Sequence, residues 1–199
     1  ISFYAILGEL GFFDMQELQR VCKEGSFLGG NPDPIIPGYE SVNGSLGHGL
    51  GVGSGMALGL KRQNRNESVF VLVGDGELYE GSMWEAIMFA GEHRLDNLIA
   101  IVDKNNMCML GWCRDILDLG SLEDKFSSYK WMVETVDGHD VGQVHAVLSD
   151  LKRSRTGMPK VVIANTIKGK GVPSLETDPL NHIKNIAPDR IDAAIEGLR

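Results

Sequence analysis

The stretch "VLVGDGELYEG", residues 71–81, ends an apolar run with a Gly-Asp-Gly turn and two further acidic side chains. The run Val69–Val73 is apolar at every position, which is typical of a strand buried on both faces of a parallel sheet. Asp75 follows this strand directly and stands between two glycines. Its position raises the question of which ligand a carboxylate at a strand end could hold.

Short apolar strands alternate with helical patterns after this point, which predicts an α/β fold with a parallel sheet covered by helices on both faces. We expect one domain over residues 1–199. The predicted strands are Val69–Val73, Leu98–Val102, Met132–Val136 and Val161–Asn165. The predicted helices span residues 47–62, 82–94 and 141–154, with capping boxes at Asp14–Glu17 and Ser82–Glu85.

Composition limits the possible functions. The net charge of −8 argues against an extended nucleic-acid surface, which requires a basic face. No apolar run reaches the roughly 18–20 residues that a membrane helix needs. The three cysteines have no Cys-x-x-Cys spacing, which favours reduced thiols and a cytoplasmic protein. The chain opens on a helical pattern, so we expect a few residues upstream of Ile1.

Asp75 and Asn105 form the strongest pair of candidate ligands. Each follows an apolar strand, and thirty residues separate them, which is the length of one strand–helix–strand unit. Gly-Asp-Gly alone is common turn chemistry, but the pair is expected at one edge of a parallel sheet. Carboxylate and amide oxygens suit Mg²⁺ or Ca²⁺. The Met107 carbonyl could add a third oxygen, and Gly76 would let its N–H approach a phosphate.

These motifs resemble a known family. Residues 74–106, "GDGELYEGSMWEAIMFAGEHRLDNLIAIVDKNN", are similar to the thiamine diphosphate motif, which runs from Gly-Asp-Gly to Asn-Asn. The segment "PGYESVNGSLGHGLGVGSGMALG" (37–59) is similar to the Gly-x-Leu-Gly-x-Gly segment in the amino-terminal, diphosphate-binding part of transketolase. The segments "VDGHD" (136–140) and "KGKGVPSLETDPLNH" (168–182) resemble later landmarks of that part. The resemblance covers nearly the whole chain and implies a thiamine diphosphate-binding fold.

The resemblance also implies a role for particular residues. Thiamine diphosphate and Mg²⁺ (or Ca²⁺) would be the cofactors, and the family transfers a two-carbon ketol unit from a ketose-type donor to an aldehyde through a carbanion that the thiamine stabilises. His182 would lie over the reactive carbon and handle protons. His48 is either close to the site or part of the packing at a helix start. The implied metal ligands are Asp75, Asn105 and Met107, and the implied cofactor contacts are Gly44, Leu46, Gly76, Asn105 and His182.

The same resemblance implies a partner. In this family a glutamate on a second, pyrimidine-binding domain activates the cofactor, and this chain has no room for that domain. We therefore predict the diphosphate-binding subunit of a split enzyme, paired with a separate subunit in an α2β2 assembly. Asn31 stands where many relatives have a histidine that binds the donor, which favours a specialised biosynthetic or sugar-analogue substrate. Glu80 is either near the subunit interface or a solvated glutamate.

Two other functions remain possible from the sequence. The α-subunit of a 2-oxo acid dehydrogenase or decarboxylase shares the Gly-Asp-Gly to Asn-Asn motif and also pairs with a second subunit. A scaffold that keeps the fold without turnover is a non-enzymatic alternative, although the intact Asp75 and Asn105 argue against it. Lys168 and Lys170 could approach an anionic group or lie in a flexible basic loop.

Overall fold

The structure is a computed structural model that describes residues 2–42, 44–182 and 186–198, except the side chain of Pro188. The chain forms two compact units, residues 1–46 and residues 47–199. The expectation of a single domain over residues 1–199 stays a prediction.

The first unit has its own small apolar core. Helix α1 covers Ser2–Glu9, and a 3-10 helix covers Met15–Arg20. Asp14 caps the second element by accepting a hydrogen bond from the Gln16 N–H at 2.9 Å. The cap at Asp14 is therefore present, but the helix is a short 3-10 helix, and Glu17 pairs with Arg20 instead of closing the predicted capping box. The buried core residues are Tyr4, Leu7, Leu28 and Ile36.

The described part of the second unit contains six strands, and helices separate most of them. The strands are β1 (Val69–Gly74), β2 (Leu98–Lys104), β3 (Met107–Cys108), β4 (Gly111–Trp112), β5 (Met132–Asp137) and β6 (Lys160–Asn165). The helices are α2 (Gly49–Arg62), α3 (Gly81–Glu92), α4 (Cys113–Ile116), α5 (Leu122–Ser128), α6 (Val141–Arg153), α7 (Pro173–Glu176) and α8 (Ile191–Glu196). Short 3-10 helices cover Gly76–Tyr79 and Pro188–Arg190. Within the described ranges, no helix is both long enough and apolar enough to cross a bilayer.

The main sheet is parallel and has the strand order β1-β2-β6-β5. The register places Gly74 beside Asp103 and Asp103 beside Ala164. The turns that follow β1, β2 and β6 therefore leave the sheet at the same level. This confirms the predicted parallel α/β fold and brings the predicted ligand turns to one edge, the carboxyl edge.

Helices cover both faces of the sheet, as predicted. On one face, the largest core cluster joins residues of α2, α3 and α5 to the sheet, among them Leu50, Ile87 and Phe126. On the other face, α6 contributes Leu151 to a smaller cluster with Val162. Tight helix packing explains Gly53 in α2, because a Cβ there would come within 2.4 Å of the Val71 side chain.

The start of α3 differs from the prediction. Helix α3 begins at Gly81, with Glu80 at the N-cap and no side-chain capping bond. The Ser82 hydroxyl donates to the Gly47 carbonyl at 2.9 Å instead of capping its own helix. The predicted capping box at Ser82–Glu85 is therefore wrong, because a tertiary contact takes the hydroxyl that the local pattern assigned to the cap.

A buried lysine closes the opposite, amino edge of the sheet. Lys160 begins β6 with 0% exposure. Its ammonium donates to the carbonyl oxygens of Asp96 at 2.7 Å, Leu151 at 2.9 Å and Ser154. These bonds tie the start of β6 to the end of α6 and to the loop before β2.

Candidate cofactor and metal site

Asp75 lies at the carboxyl edge with its carboxylate turned toward the neighbouring strand end. Oδ1 accepts a hydrogen bond from the Gly76 N–H at 2.8 Å, and Oδ2 accepts one from the Asn106 N–H at 2.6 Å. The second bond joins the turn after β1 to the turn after β2. The structure therefore brings Asp75 together with the Asn105-Asn106 turn, thirty residues further along the chain.

Burial destabilises the ionised form of the Asp75 side chain. Its residue is 5% exposed, and burial raises the pKa of Asp75 above the usual aspartate value. The two backbone N–H bonds and the Lys168 ammonium act in the opposite direction, whereas Asp103 adds to the rise in pKa. Among the described residues, no salt bridge includes Asp75. A buried carboxylate without a paired cation is a suitable ligand for a metal ion.

The adjacent residues Asn105 and Asn106 have different structural roles. Asn106 has a φ of 61°, in the left-handed region that asparagine tolerates better than most residues. This conformation belongs to the turn whose N–H reaches Asp75. Asn105 is buried, and its Oδ1 accepts from the Met107 N–H at 3.0 Å. An amide oxygen has two lone pairs, so one remains for a cation.

Gly76 and the short β3–β4 hairpin form the wall beside these oxygens. A Cβ on Gly76 would lie 3.1 Å from the Cys108 Cβ and 3.7 Å from the Met107 carbonyl oxygen. Cys108 therefore packs directly against the Gly76 backbone. The close approach explains why a glycine follows Asp75, and it places the predicted third ligand, the Met107 carbonyl, near the same turn.

The donor set fits a hard divalent cation. Asp75, Asn105 and Met107 would offer a carboxylate, an amide and a backbone oxygen, which are the ligands that Mg²⁺ and Ca²⁺ prefer. In the part of the chain that the structure describes, no group of three or more His, Cys, Asp and Glu side chains could hold a metal ion. Such a group would contain several imidazoles, thiolates or carboxylates, whereas the candidate set contains a single carboxylate, one amide oxygen and one backbone carbonyl.

A cavity of about 60 Å³ opens beside Asp75. Tyr79 and Cys113 line it, and the Tyr79 hydroxyl donates to the Cys113 carbonyl at 3.2 Å. Burial raises the pKa values of both the Tyr79 phenol and the Cys113 thiol. The cavity has room for water at the carboxylate, and its thiol is a protonated, neutral lining group at neutral pH.

The turn before α2 is fastened to the segment that follows Gly76. The Gly47 N–H donates to Glu77 Oε1 at 2.9 Å, and Gly47 has a φ of 87°. A Cβ on Gly47 would lie 2.7 Å from the Glu80 Cβ, so only glycine fits there. His48 is the N-cap residue of α2, is exposed and makes no side-chain capping bond. It lines an open groove between α2 and α3 together with Phe89.

The loop after β6 carries the other predicted catalytic residue. His182 is exposed, and its Nδ1 lies 3.1 Å from the Lys168 Nζ. Because an ammonium can only donate, Nδ1 accepts this bond and the imidazole proton is on Nε2. Lys168 also acts on the pKa of Asp75, which places its charge near the carboxyl edge. His48 and His182 have no described contact with each other.

Asp103 and Thr166 also belong to this site, although the sequence did not identify them as site residues. Asp103 Oδ2 accepts from Asn105 Nδ2 at 3.0 Å, and Asp103 Oδ1 accepts from the Thr166 hydroxyl. The only signal in the sequence was the position of Asp103 two residues before Asn105, at the end of the same strand. A strand register is needed to place Thr166 next to it.

Gly44 and Leu46, the predicted thiamine contacts, belong to the first unit. Gly44 has a φ of 144°, and a Cβ there would lie 3.3 Å from Asn31 Nδ2. Leu46 is exposed. Asn43, which belongs to the same quoted motif, lies outside the described residues. The roles of Gly44 and Leu46 stay predictions.

The fold and the carboxyl-edge oxygens define a class of protein, the thiamine diphosphate-binding α/β domain. Residues 1–197 match the family described as "Transketolase, thiamine diphosphate binding domain". The chain belongs to the transketolase family. This confirms the resemblance that the motifs carry.

Curated relatives and solved structures give the same result. The chain is 38% identical, over all of its length and 71% of the relative, to an apulose-4-phosphate transketolase subunit of Actinobacillus succinogenes. It is 35% identical, over 99% of its length and 72% of the relative, to 6-deoxy-6-sulfo-D-fructose transketolase subunit SqwG of a Clostridium species. The transketolase structure of Campylobacter jejuni has a TM-score of 0.81 and 27% identity, over 94% of this chain and 30% of that one.

The family determines the broad reaction class. Transketolases are thiamine diphosphate-dependent transferases, so the predicted enzyme class is confirmed. The relatives described above are called subunits of transketolases, whereas the chain spans about a third of the solved transketolase. None of these findings supports the alternative of a 2-oxo acid dehydrogenase α-subunit.

Proposed function

We propose that this chain is the diphosphate-binding subunit of a split transketolase that moves a two-carbon ketol unit from a ketose-type donor to an aldehyde acceptor. The observation that carries the proposal is the contact between the Asp75 carboxylate and the Asn106 N–H, which joins two strand-end turns into one oxygen-rich edge. Membership of the transketolase family supports the assignment of that edge to thiamine diphosphate.

A divalent cation, Mg²⁺ or Ca²⁺, would be held by the Asp75 carboxylate, Asn105 Oδ1 and the Met107 carbonyl. The protein carries a net charge of −8, so the positive field at the diphosphate must come from the metal ion, from backbone N–H groups and from Lys168. The Gly76 N–H donates to Asp75 Oδ1, so its contact with a diphosphate stays a prediction. The bound cofactor supplies an electron sink for breaking a carbon–carbon bond next to a carbonyl.

His182 would manage protons at the reacting centre. The bond from Lys168 occupies Nδ1 and leaves the Nε2–H free to donate to a substrate oxygen. A histidine suits this work near neutral pH. His48 is the weaker of the two catalytic candidates, because its groove lies between α2 and α3 and it makes no described contact with Asp75 or Asn105.

A separate subunit would complete the site. In the transketolase family a glutamate of a pyrimidine-binding domain activates the cofactor, and we propose that a partner chain supplies it in an α2β2 assembly. The subunit names of the two relatives support a partner. The names of these relatives give apulose-4-phosphate and 6-deoxy-6-sulfo-D-fructose as their substrates. Together with Asn31, they support a sugar-analogue donor for this chain.

The test is reconstitution of the full protein with its partner subunit. Ketose phosphates and sugar analogues are offered as donors with an aldehyde acceptor, and product formation is followed with and without Mg²⁺ and thiamine diphosphate. Transfer that needs both subunits and both cofactors is expected. Release of CO₂ from 2-oxo acids without ketol transfer would contradict the proposal, and so would turnover by this chain alone.

A further inference from the structure

The amide of Asn105 can bind a cation in only one of its two orientations. Its oxygen and nitrogen occupy nearly the same volume, but the nitrogen end carries two N–H donors and would repel a metal ion. A site that relies on an asparagine therefore needs a neighbour that recognises which end of the amide faces it. Asn105 is buried, so bulk water does not make this selection.

Asp103 supplies that recognition. Its Oδ2 accepts from Asn105 Nδ2 at 3.0 Å. An ionised carboxylate can only accept, so the end of the amide that faces Asp103 must be the nitrogen. On the other side, Asn105 Oδ1 accepts from the Met107 N–H at 3.0 Å. The amide is thus fixed from both ends, with its oxygen on the side of Met107.

The sheet holds Asp103 in turn. Asp103 pairs with Ala164 of β6 and lies beside Gly74 of β1, so its backbone is set by two neighbouring strands. Its second oxygen, Oδ1, accepts from the hydroxyl of Thr166, the residue that follows β6. Both carboxylate oxygens are therefore engaged, and the side chain has no freedom to turn away from Asn105.

We propose that Asp103, supported by Thr166, is the positioning residue that orients the Asn105 amide toward the metal ion. The inference rests on the proposed function, because it assumes that Asn105 is a metal ligand. Asp103 itself does not touch the ion. Its effect is the selection of one amide orientation, because both of its oxygens only accept hydrogen bonds.

A double-mutant cycle between positions 103 and 105 tests this. Binding of Mn²⁺ in place of Mg²⁺ is measured by electron paramagnetic resonance, with thiamine diphosphate present, on the full protein assembled with its partner. Asp103→Ala is expected to weaken Mn²⁺ binding by about 10–100-fold, which is typical for loss of a residue that orients a metal ligand. In an Asn105→Asp background the same change is expected to cause no loss of affinity, because both ends of a carboxylate are oxygens and Asp103 there faces a like charge.

Two single variants complete the test. Asp103→Asn accepts from Asn105 in only one of its own two amide orientations, so a partial loss, smaller than that of Asp103→Ala, is expected. Asp137→Ala is the matched control, because Asp137 ends β5 at the same edge and, among the described residues, its carboxylate accepts from the His139 N–H of its own turn. Its Mn²⁺ affinity should equal that of the parent.

The outcomes are distinguishable. An equal loss from Asp103→Ala in both backgrounds would show a general structural or electrostatic effect and overturn the inference, and Mn²⁺ affinity of Asp103→Ala equal to that of the parent would overturn it as well. If the parent itself binds no Mn²⁺ with thiamine diphosphate, or if Asp75→Ala binds as the parent does, the proposed function fails and not merely the role of Asp103.

Discussion

Buried charged side chains at the two ends of the parallel sheet differ in how fully their hydrogen-bonding capacity is used. At the amino edge, the ammonium of Lys160 is fully buried and donates to three backbone carbonyls, which is the number of donors that it has. At the carboxyl edge, the carboxylate of Asp75 is 5% exposed and accepts two N–H bonds, although its oxygens offer about four acceptor positions.

The difference separates a structural from a functional buried charge. Lys160 is satisfied by the fold alone, so its removal should be felt as lost stability. Asp75 keeps unused acceptor capacity next to Asn105 and Met107, so its removal should be felt as lost binding. Burial alone would not distinguish the two residues, whereas counting their hydrogen-bond partners does.

Asp75→Ala should have the largest effect on binding. We expect Mg²⁺-dependent affinity for thiamine diphosphate to fall by more than about 100-fold, beyond the loss typical for a residue that only supports a ligand. The free energy of unfolding without cofactor should change by no more than about 1–2 kcal/mol, because two unpaired N–H groups replace a buried unpaired charge. Calorimetric titration and urea unfolding measure the two quantities.

Asn105→Ala should also lower the cofactor affinity strongly, with little change in the free energy of unfolding. Asp137→Ala should change neither quantity. If Asp75→Ala and Asn105→Ala bound the cofactor as the parent does, the carboxyl edge would not be the metal site. The contrast between the two ends of the sheet would then lose its meaning.

Lys160→Ala should have the largest effect on stability. Three buried carbonyls lose their donor, so we expect the free energy of unfolding to fall by about 2–4 kcal/mol, with cofactor affinity of the folded protein unchanged. Urea unfolding checks the first part and calorimetric titration the second. Lys152→Ala, an exposed position in α6, is the matched control. A loss of affinity without a loss of stability would reverse the assignment of the two ends.

Lys160 should also contribute to the pH dependence of the free energy of unfolding. Burial lowers the pKa of Lys160, the Arg155 guanidinium adds to this, and Asp96 opposes it. Between the lowered folded pKa and the unfolded value of about 10.4, the unfolded chain binds more protons, so the contribution of Lys160 to stability rises with pH. We therefore expect the stability difference between the parent and Lys160→Met to grow from neutral toward alkaline pH in urea unfolding. A difference that shrank with rising pH would have the wrong sign.

Glu77→Ala should give the smallest effect. Glu77 accepts from the Gly47 N–H at 2.9 Å, so it fastens the turn before α2 at the carboxyl edge. We expect a loss of about 0.5–1.5 kcal/mol in the free energy of unfolding. Glu85→Ala, an exposed position in α3, should lie near zero in the same unfolding measurement. This pair would show that the carboxyl edge also contains purely structural contacts.

The sequence predicts the strands and the ligand turns well, because apolar runs and strand-end polar residues are local patterns. Val69–Val73 and Leu98–Val102 each lie inside the observed strand, and the turns after them meet as expected. The hydrogen bonds from the Ser82 hydroxyl to Gly47 and from the Thr166 hydroxyl to Asp103 could not be predicted. Both contacts depend on which segments become neighbours in space, and local residue patterns carry no information about that.

The most direct test of the central claim is the position of a metal ion in a crystal of the assembled protein grown with Mn²⁺ and thiamine diphosphate. Anomalous scattering should place one Mn²⁺ in contact with the Asp75 carboxylate, Asn105 Oδ1 and the Met107 carbonyl, with diphosphate oxygens completing its coordination. A diphosphate bound elsewhere, or an ion that none of these three oxygens touches, would contradict the account.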